Sequence, residues 1–111
     1  MTMMMTNASY EEVVAALEYA ADRMELEVDH VDAYNGIVKL RRGYTWKAFS
    51  TLIQVNLFAI HNAQIVHVHA GHNFKGEVGV QDQIGYHQEQ ERQLVLFMRD
   101  RIGVRRCKIV P

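Results

Sequence analysis

The sequence predicts a single α+β domain in which a mixed sheet of about four strands is covered by three helices, in the order αββαβαβ. Three observations carry that expectation. A capping box at Ser9 opens an amphipathic stretch, and an Asn35-Gly36 pair separates two short extended runs. A run of 27 residues from Ala48 to Phe74 contains no Asp, Glu, Lys or Arg, in a chain where 23% of residues are charged.

A chain of 111 residues, 49% of them apolar, is long enough to bury a core without metal or disulfide. Residues 1–8 are expected to be a disordered N-terminus, which leaves 9–111 as the domain. In Ser9-Tyr10-Glu11-Glu12 the Ser9 hydroxyl accepts the Glu12 backbone N–H while the Glu12 carboxylate accepts the Ser9 N–H, so a helix starts there. Val13, Leu17, Ala20, Met24 and Val28 recur on one face, and Glu11, Glu18, Asp22 and Glu25 form a solvated acidic stripe on the other. Strands over 28–34 and 37–42 flank Asn35-Gly36, whose two residues supply the positive φ of a tight hairpin.

Gly43 then breaks the chain, and Thr45 is placed to cap a central helix over 46–61. At about 100° per residue, Trp46, Phe49, Ile53, Leu57 and Ile60 make one face. Leu52, Val55, Phe58 and Ala59 cover much of the remainder, and Lys47, Ser50, Gln54 and His61 make a narrow polar stripe. A helix apolar nearly all round is buried on more than one side. One sheet covers one side in a domain of this size, so the chain is expected to form a homo-oligomer through residues 46–61. A membrane span is excluded, because Gln54, Asn56, His61, Asn62, Gln64, His67 and His69 would each need a polar partner in lipid.

Residues 64–70 read as a strand. Gly71, Gly76, Gly79 and Gly85 punctuate the loop that follows, with a short extended piece at 77–80. A third helix is expected over 86–102, with Leu94, Phe97, Met98 and Ile102 inward, Arg92 and Arg99 outward, and Gly103 at its C-terminal cap. Residues 104–110 make the last strand. The single Cys107 cannot form an internal disulfide, and the first residues lack the basic and apolar regions of a secretory signal. The expected compartment is cytoplasmic.

Charge is unevenly placed. Residues 1–32 hold eight acids against Arg23, whereas 33–111 hold eleven Lys and Arg against five acids. Such segregation either steers an anionic partner or lets the two surfaces meet within the fold or between subunits.

Four groups of residues could carry chemistry. His67 and His69 share a strand face about 7 Å apart; with His72, His87 and Glu91 they make the candidate zinc set. Cys107, between Arg106 and Lys108, reads as a packed strand thiol rather than a nucleophile. The glycines at 71, 76, 79 and 85 form neither a Walker nor a dinucleotide fingerprint. Arg41, Arg42, Arg105 and Arg106, with Tyr44 and Trp46, suit phosphate contacts and ring stacking, and these six are the candidate ligand-binding residues.

The leading expectation is therefore a non-enzymatic, homo-oligomeric binding protein without a cofactor, which sequesters or blocks a partner. Its expected ligand is a nucleotide-like or nucleic-acid phosphate. The alternatives are a metal-dependent hydrolase or metal-binding protein built on the His cluster, and a protein-protein inhibitor or adaptor without a small ligand.

Overall fold

The computed structural model describes residues 1–42, 51–71 and 80–110. In chain order they form β1 (Thr2–Thr6), α1 (Tyr10–Arg23), β2 (Glu27–Asp32), β3 (Ile37–Arg42), β4 (Thr51–Ile60), β5 (Ala63–Gly71), α2 (Val80–Ile102), a 3-10 turn at Val104–Arg106, and β6 (Cys107–Val110). The strands make one sheet in the order β2-β3-β4-β5-β1-β6, and every neighbouring pair is antiparallel. No helix among the described residues is long and apolar enough to cross a membrane.

The class is α+β, but the expected mixed sheet of four strands under three helices is overturned: the sheet has six antiparallel strands, and two helices are present among the described residues. The central helix over 46–61 is the source of the error. Its second part is strand β4, followed by a two-residue turn at His61 and Asn62 into β5, with His61 at φ 54°. Trp46 and Phe49, the first two members of the supposed helical face, lie outside the described residues. Ile53, Val55 and Leu57 point into the core while Leu52, Gln54 and Asn56 are half-buried on the other face. Because both faces carry apolar side chains, the two-residue period is masked, and β-branched Ile53 and Val55 suit a strand better than a helix.

The expected disordered N-terminus supplies a further strand, β1, which lies between β5 and β6 with Met4 fully buried. The final strand begins at Cys107 instead of 104, because Val104–Arg106 makes a tight turn first. Helix α2 begins at Val80, ahead of the expected 86, and the extended piece expected at 77–80 otherwise lies outside the described residues.

The capping box holds, but the hairpin is not the two-residue turn expected between strands 28–34 and 37–42: β2 ends at Asp32, the loop runs over 33–36, and of Asn35 and Gly36 only Gly36 has positive φ. The capping box is complete, with Glu12 N–H on Ser9 Oγ at 3.2 Å and Ser9 N–H on Glu12 Oε1 at 3.2 Å. At the hairpin, Asp32 accepts the Asn35 backbone N–H at 3.2 Å and the Asn35 side-chain amide at 2.7 Å. Those bonds hold the Asp32 carboxyl below its usual range. Gly36 has φ 68°, and a Cβ there would run into the Leu57 carbonyl oxygen, so glycine is required twice over.

Both helices cover the same face of the sheet. Val13, Ala16, Leu17 and Ala20 of α1, with Leu94, Val95 and Met98 of α2, pack onto Met4, Leu40, Ile53, Val55, Val66 and Val68. Among the described residues the other face carries no helix. Pairing sets the rows that cross it, among them Ile37, Asn56, His67, Met3 and Val110 in one row and Phe58, Ile65, Met5 and Lys108 in the next.

The two ends of the sheet also differ. One end carries both hairpin turns, the start of α1 and the turn before β6. At the other end β3 finishes at Arg42, β5 at Gly71 and β6 at Val110, while β1 begins.

Candidate functional site

Helix α2 meets that second end through two adjacent buried polar residues. Gln90, 6% exposed, accepts from Arg42 Nη2 at 2.7 Å. Glu91, 2% exposed, accepts the Ala70 backbone N–H on Oε2 at 2.8 Å and the Thr2 hydroxyl on Oε1 at 3.2 Å. The Met1 amino nitrogen stands 2.7 Å from the same Oε1. The reason lies in the register: β1 pairs with β5 only as far as Thr2 opposite Val68. The Ala70 N–H is past the end of that ladder, and the Glu91 carboxylate takes the place a longer β1 would have filled.

Beside this anchor is an open cleft of roughly 670 Å³ between α2 on one side and β1 and β6 on the other, a size ordinary for small-molecule sites. Gln88, Arg92, Leu96 and Arg99 line it from α2, and Thr2 and Ile109 from the strands. The spacing of these helical residues, four, four and three, keeps them on one face. Arg92 and Arg99 are two turns apart, about 10 Å along the axis. Neither guanidinium has an ion pair or hydrogen bond among the described residues, and the Arg99 Nε is buried without a partner there. Glu89 also lines the cleft but is engaged by the Gln93 amide at 3.2 Å. The result is a trough with two guanidinium groups, an apolar middle at Leu96 and Ile109, and two carboxylates, Glu91 accepting from Ala70 and Thr2 and Glu89 accepting from Gln93.

The basic residues singled out from sequence do not converge. Arg41 and Arg42 end β3, while Arg105 and Arg106 precede β6 at the opposite end of the sheet, with β4, β5 and β1 between the two strands. Arg106 forks onto Glu12, Nη1 to Oε2 at 2.7 Å and Nη2 to Oε1 at 3.2 Å, and its Nε donates to Asn7 Oδ1 at 2.9 Å. The guanidinium holds the Glu12 carboxyl down to about 2, from an ordinary 4.5, and the Arg106 pKa is raised in return. Arg41 stands 3.4 Å from Asp29, and Arg41 and Arg42 share a smaller cleft with Glu25 and Glu27. Arg105 is exposed. Tyr44 and Trp46 lie outside the described residues. In the pairs Glu12–Arg106 and Asp29–Arg41 the acidic first third of the chain meets the basic remainder within the fold.

The histidines are partly dispersed as well. His67 and His69 sit on the helix-free face of β5, His67 half-buried and the His69 side chain 63% exposed. His69 Nδ1 approaches Glu91 Oε2 only to 4.0 Å. His87 is half-buried on α2, and His72 lies outside the described residues. Among the described residues no three His, Cys, Asp or Glu side chains gather closely enough to hold a metal. Cys107 is a free, half-buried thiol.

Arg92 and Arg99 were expected to face outward, and the cleft they line was not foreseen. Their seven-residue spacing, with Gln88 and Leu96 completing the stripe, was the available signal; the strands opposite it were not. Comparison of the sequence with protein-family models and with curated proteins finds no match.

Proposed function

We propose that this is a non-enzymatic binding protein whose cleft between α2 and the β1–β6 pair takes a small anionic, phosphate-bearing ligand. The observation that supports this reading is the pair Arg92 and Arg99, which line one trough and whose guanidinium groups have no partner among the described residues. Arginine grips phosphate through a planar fork, and Leu96 with Ile109 offers an apolar surface for the rest of a nucleotide-like molecule. The ligand chemistry is that expected from composition; the residues are different.

The test is calorimetric titration of inorganic phosphate, pyrophosphate, mononucleotides and cyclic dinucleotides into wild type and Arg92→Ala/Arg99→Ala. Binding by wild type that the double variant loses supports the reading. Absence of binding to the whole panel, or binding that survives the double substitution, sinks it.

A second reading concerns assembly, and one patch favours it. On the helix-free face Phe58, Ile60 and Met5 are 43%, 49% and 41% exposed around Ile65, which is 3% exposed although it lies outside the main core. An apolar patch, here with Lys108 at its margin, is complementary to itself across a two-fold axis, so the partner it fits is a second copy of the chain. Here β4, not a helix, would supply the contact.

A further inference from the structure

We infer that the helix-free face carries a site for a soft monovalent cation, Cu(I), built from Met3, His67 and His69 with Met5 beside them. The inference rests on the sheet register and is independent of the anion cleft.

Met3 of β1 stands directly opposite His67 of β5, and Met5 opposite Ile65. Residues in direct opposition have Cβ atoms about 4.5–5.5 Å apart, and diagonal neighbours about 7–8 Å. His67 and Met3 are thus one short step apart on the same face. His69 is a diagonal step from Met3, and Met5 a diagonal step from His67. Both side-chain types are long enough to lean those distances, so a cation above the Met3–His67 pair reaches a third donor in either direction. Met3 and His67 are half-buried, whereas Met5 and His69 are exposed; the two central donors are partly shielded and the outer two can adjust.

The donor set selects the ion. Two imidazoles and two thioethers are all neutral, and thioethers are soft ligands that favour Cu(I) over harder divalent ions. A divalent cation would bring two positive charges to a set with no anionic donor. Lys108 lies opposite Met5, and Lys39 lies opposite Gln54, two strands from His69, which penalises a second charge further. Glu91, at 4.0 Å from His69 Nδ1, is already taken up by Ala70 and Thr2. On the other flank of His67 stands Asn56, whose Oδ1 accepts from Gln54 Nε2 at 3.2 Å. That amide pair sits where an outer partner can orient the imidazoles.

The test is anaerobic transfer of Cu(I) from bicinchoninate to the reduced 111-residue chain, followed by X-ray absorption of the loaded protein. One Cu(I) per chain is expected, with both sulfur and nitrogen neighbours. Met3→Leu, which keeps the side-chain volume, and His67→Gln should each weaken retention at least about tenfold, the scale on which changes around metal sites act. Cys107→Ser should leave binding unchanged. Circular dichroism of each variant separates loss of the site from loss of the fold. No transfer from bicinchoninate, retention that is unchanged in folded Met3→Leu and His67→Gln, displacement of the bound ion by equimolar Zn(II), or loss of binding in Cys107→Ser would each overturn the assignment.

Discussion

The Glu91 carboxylate accepts the Ala70 backbone N–H at 2.8 Å, and this bond replaces a missing stretch of strand. Strand β5 runs on after β1 has stopped pairing at Thr2, and a buried helix residue closes the ladder that β1 leaves open. The same carboxylate takes the Thr2 hydroxyl, so one side chain ties α2 to both strands. Beside it, Gln90 reaches Arg42 of β3. The helix that lines the cleft is held in place by polar bonds at one end and by Leu94, Val95 and Met98 further along.

Replacing Glu91 should therefore cost more than its single hydrogen bonds suggest. Glu91→Ala leaves the Ala70 N–H and the Thr2 hydroxyl without their acceptor in a buried site, a loss of about 2–4 kcal/mol. Glu91→Gln keeps an acceptor oxygen for Ala70 and should lose about half as much. Urea unfolding midpoints for the two variants check this; equal losses would mean that packing, not the acceptor, is what matters.

Gly36 joins β3 to β4 as well as closing the hairpin, since its carbonyl accepts the Leu57 N–H at 2.6 Å. Gly36→Ala introduces a methyl group against the Leu57 carbonyl in a left-handed conformation. The expected destabilisation is about 2 kcal/mol or more, the sum of backbone strain and displaced pairing. Thermal unfolding gives the loss, and amide exchange should show it concentrated in β2 and β3.

Acid stability offers a third check. Arg106 lowers the Glu12 pKa to about 2 from 4.5, so the folded state holds the ionised carboxylate more favourably than the unfolded chain does. The contribution is complete above the unfolded value and is lost as pH falls through the window from 4.5 to about 2. Glu12→Gln keeps the capping box but should flatten the melting-temperature profile across that window. Because both side chains are well exposed, the effect is screened by salt and should shrink in 1 M NaCl. A profile for Glu12→Gln as steep as that of wild type would rule this coupling out.

The elements legible in the sequence were those specified by local chemistry. Ser9 with Glu12, Asn35 with Gly36, and the alternation through Val66, Val68 and Ala70 each need only near neighbours to act. What was misread depends on partners far along the chain. Met3, Met4 and Met5 lack the β-branched and aromatic residues that mark strands, and β1 is a strand because β5 and β6 receive it on both sides. In β4, Ile53, Val55 and Leu57 face the core, but Leu52 and Phe58 make the other face apolar too, so helical spacing fits by coincidence. The cleft is of the same kind: Arg92 and Arg99 are visible as a stripe, but only the return of β1 and β6 beside α2 turns the stripe into a wall.

The corrected strand separates what two aspartate substitutions in β4 should do. Val55 is fully buried in the core, whereas Phe58 is 43% exposed on the helix-free face. Val55→Asp would place an unpaired carboxylate among Leu40, Ile53 and Val68 and should abolish folding, since an isolated buried charge cannot be accommodated. Phe58→Asp meets water in the monomer and should leave the fold intact. If two copies meet through the Phe58, Ile60 and Met5 patch, the same substitution buries a charge at the contact and should return the protein to monomer mass. Light scattering at micromolar concentration, with circular dichroism as the check on folding, distinguishes the cases. A wild-type mass equal to one chain, or an assembly that persists in folded Phe58→Asp, excludes self-association through this face.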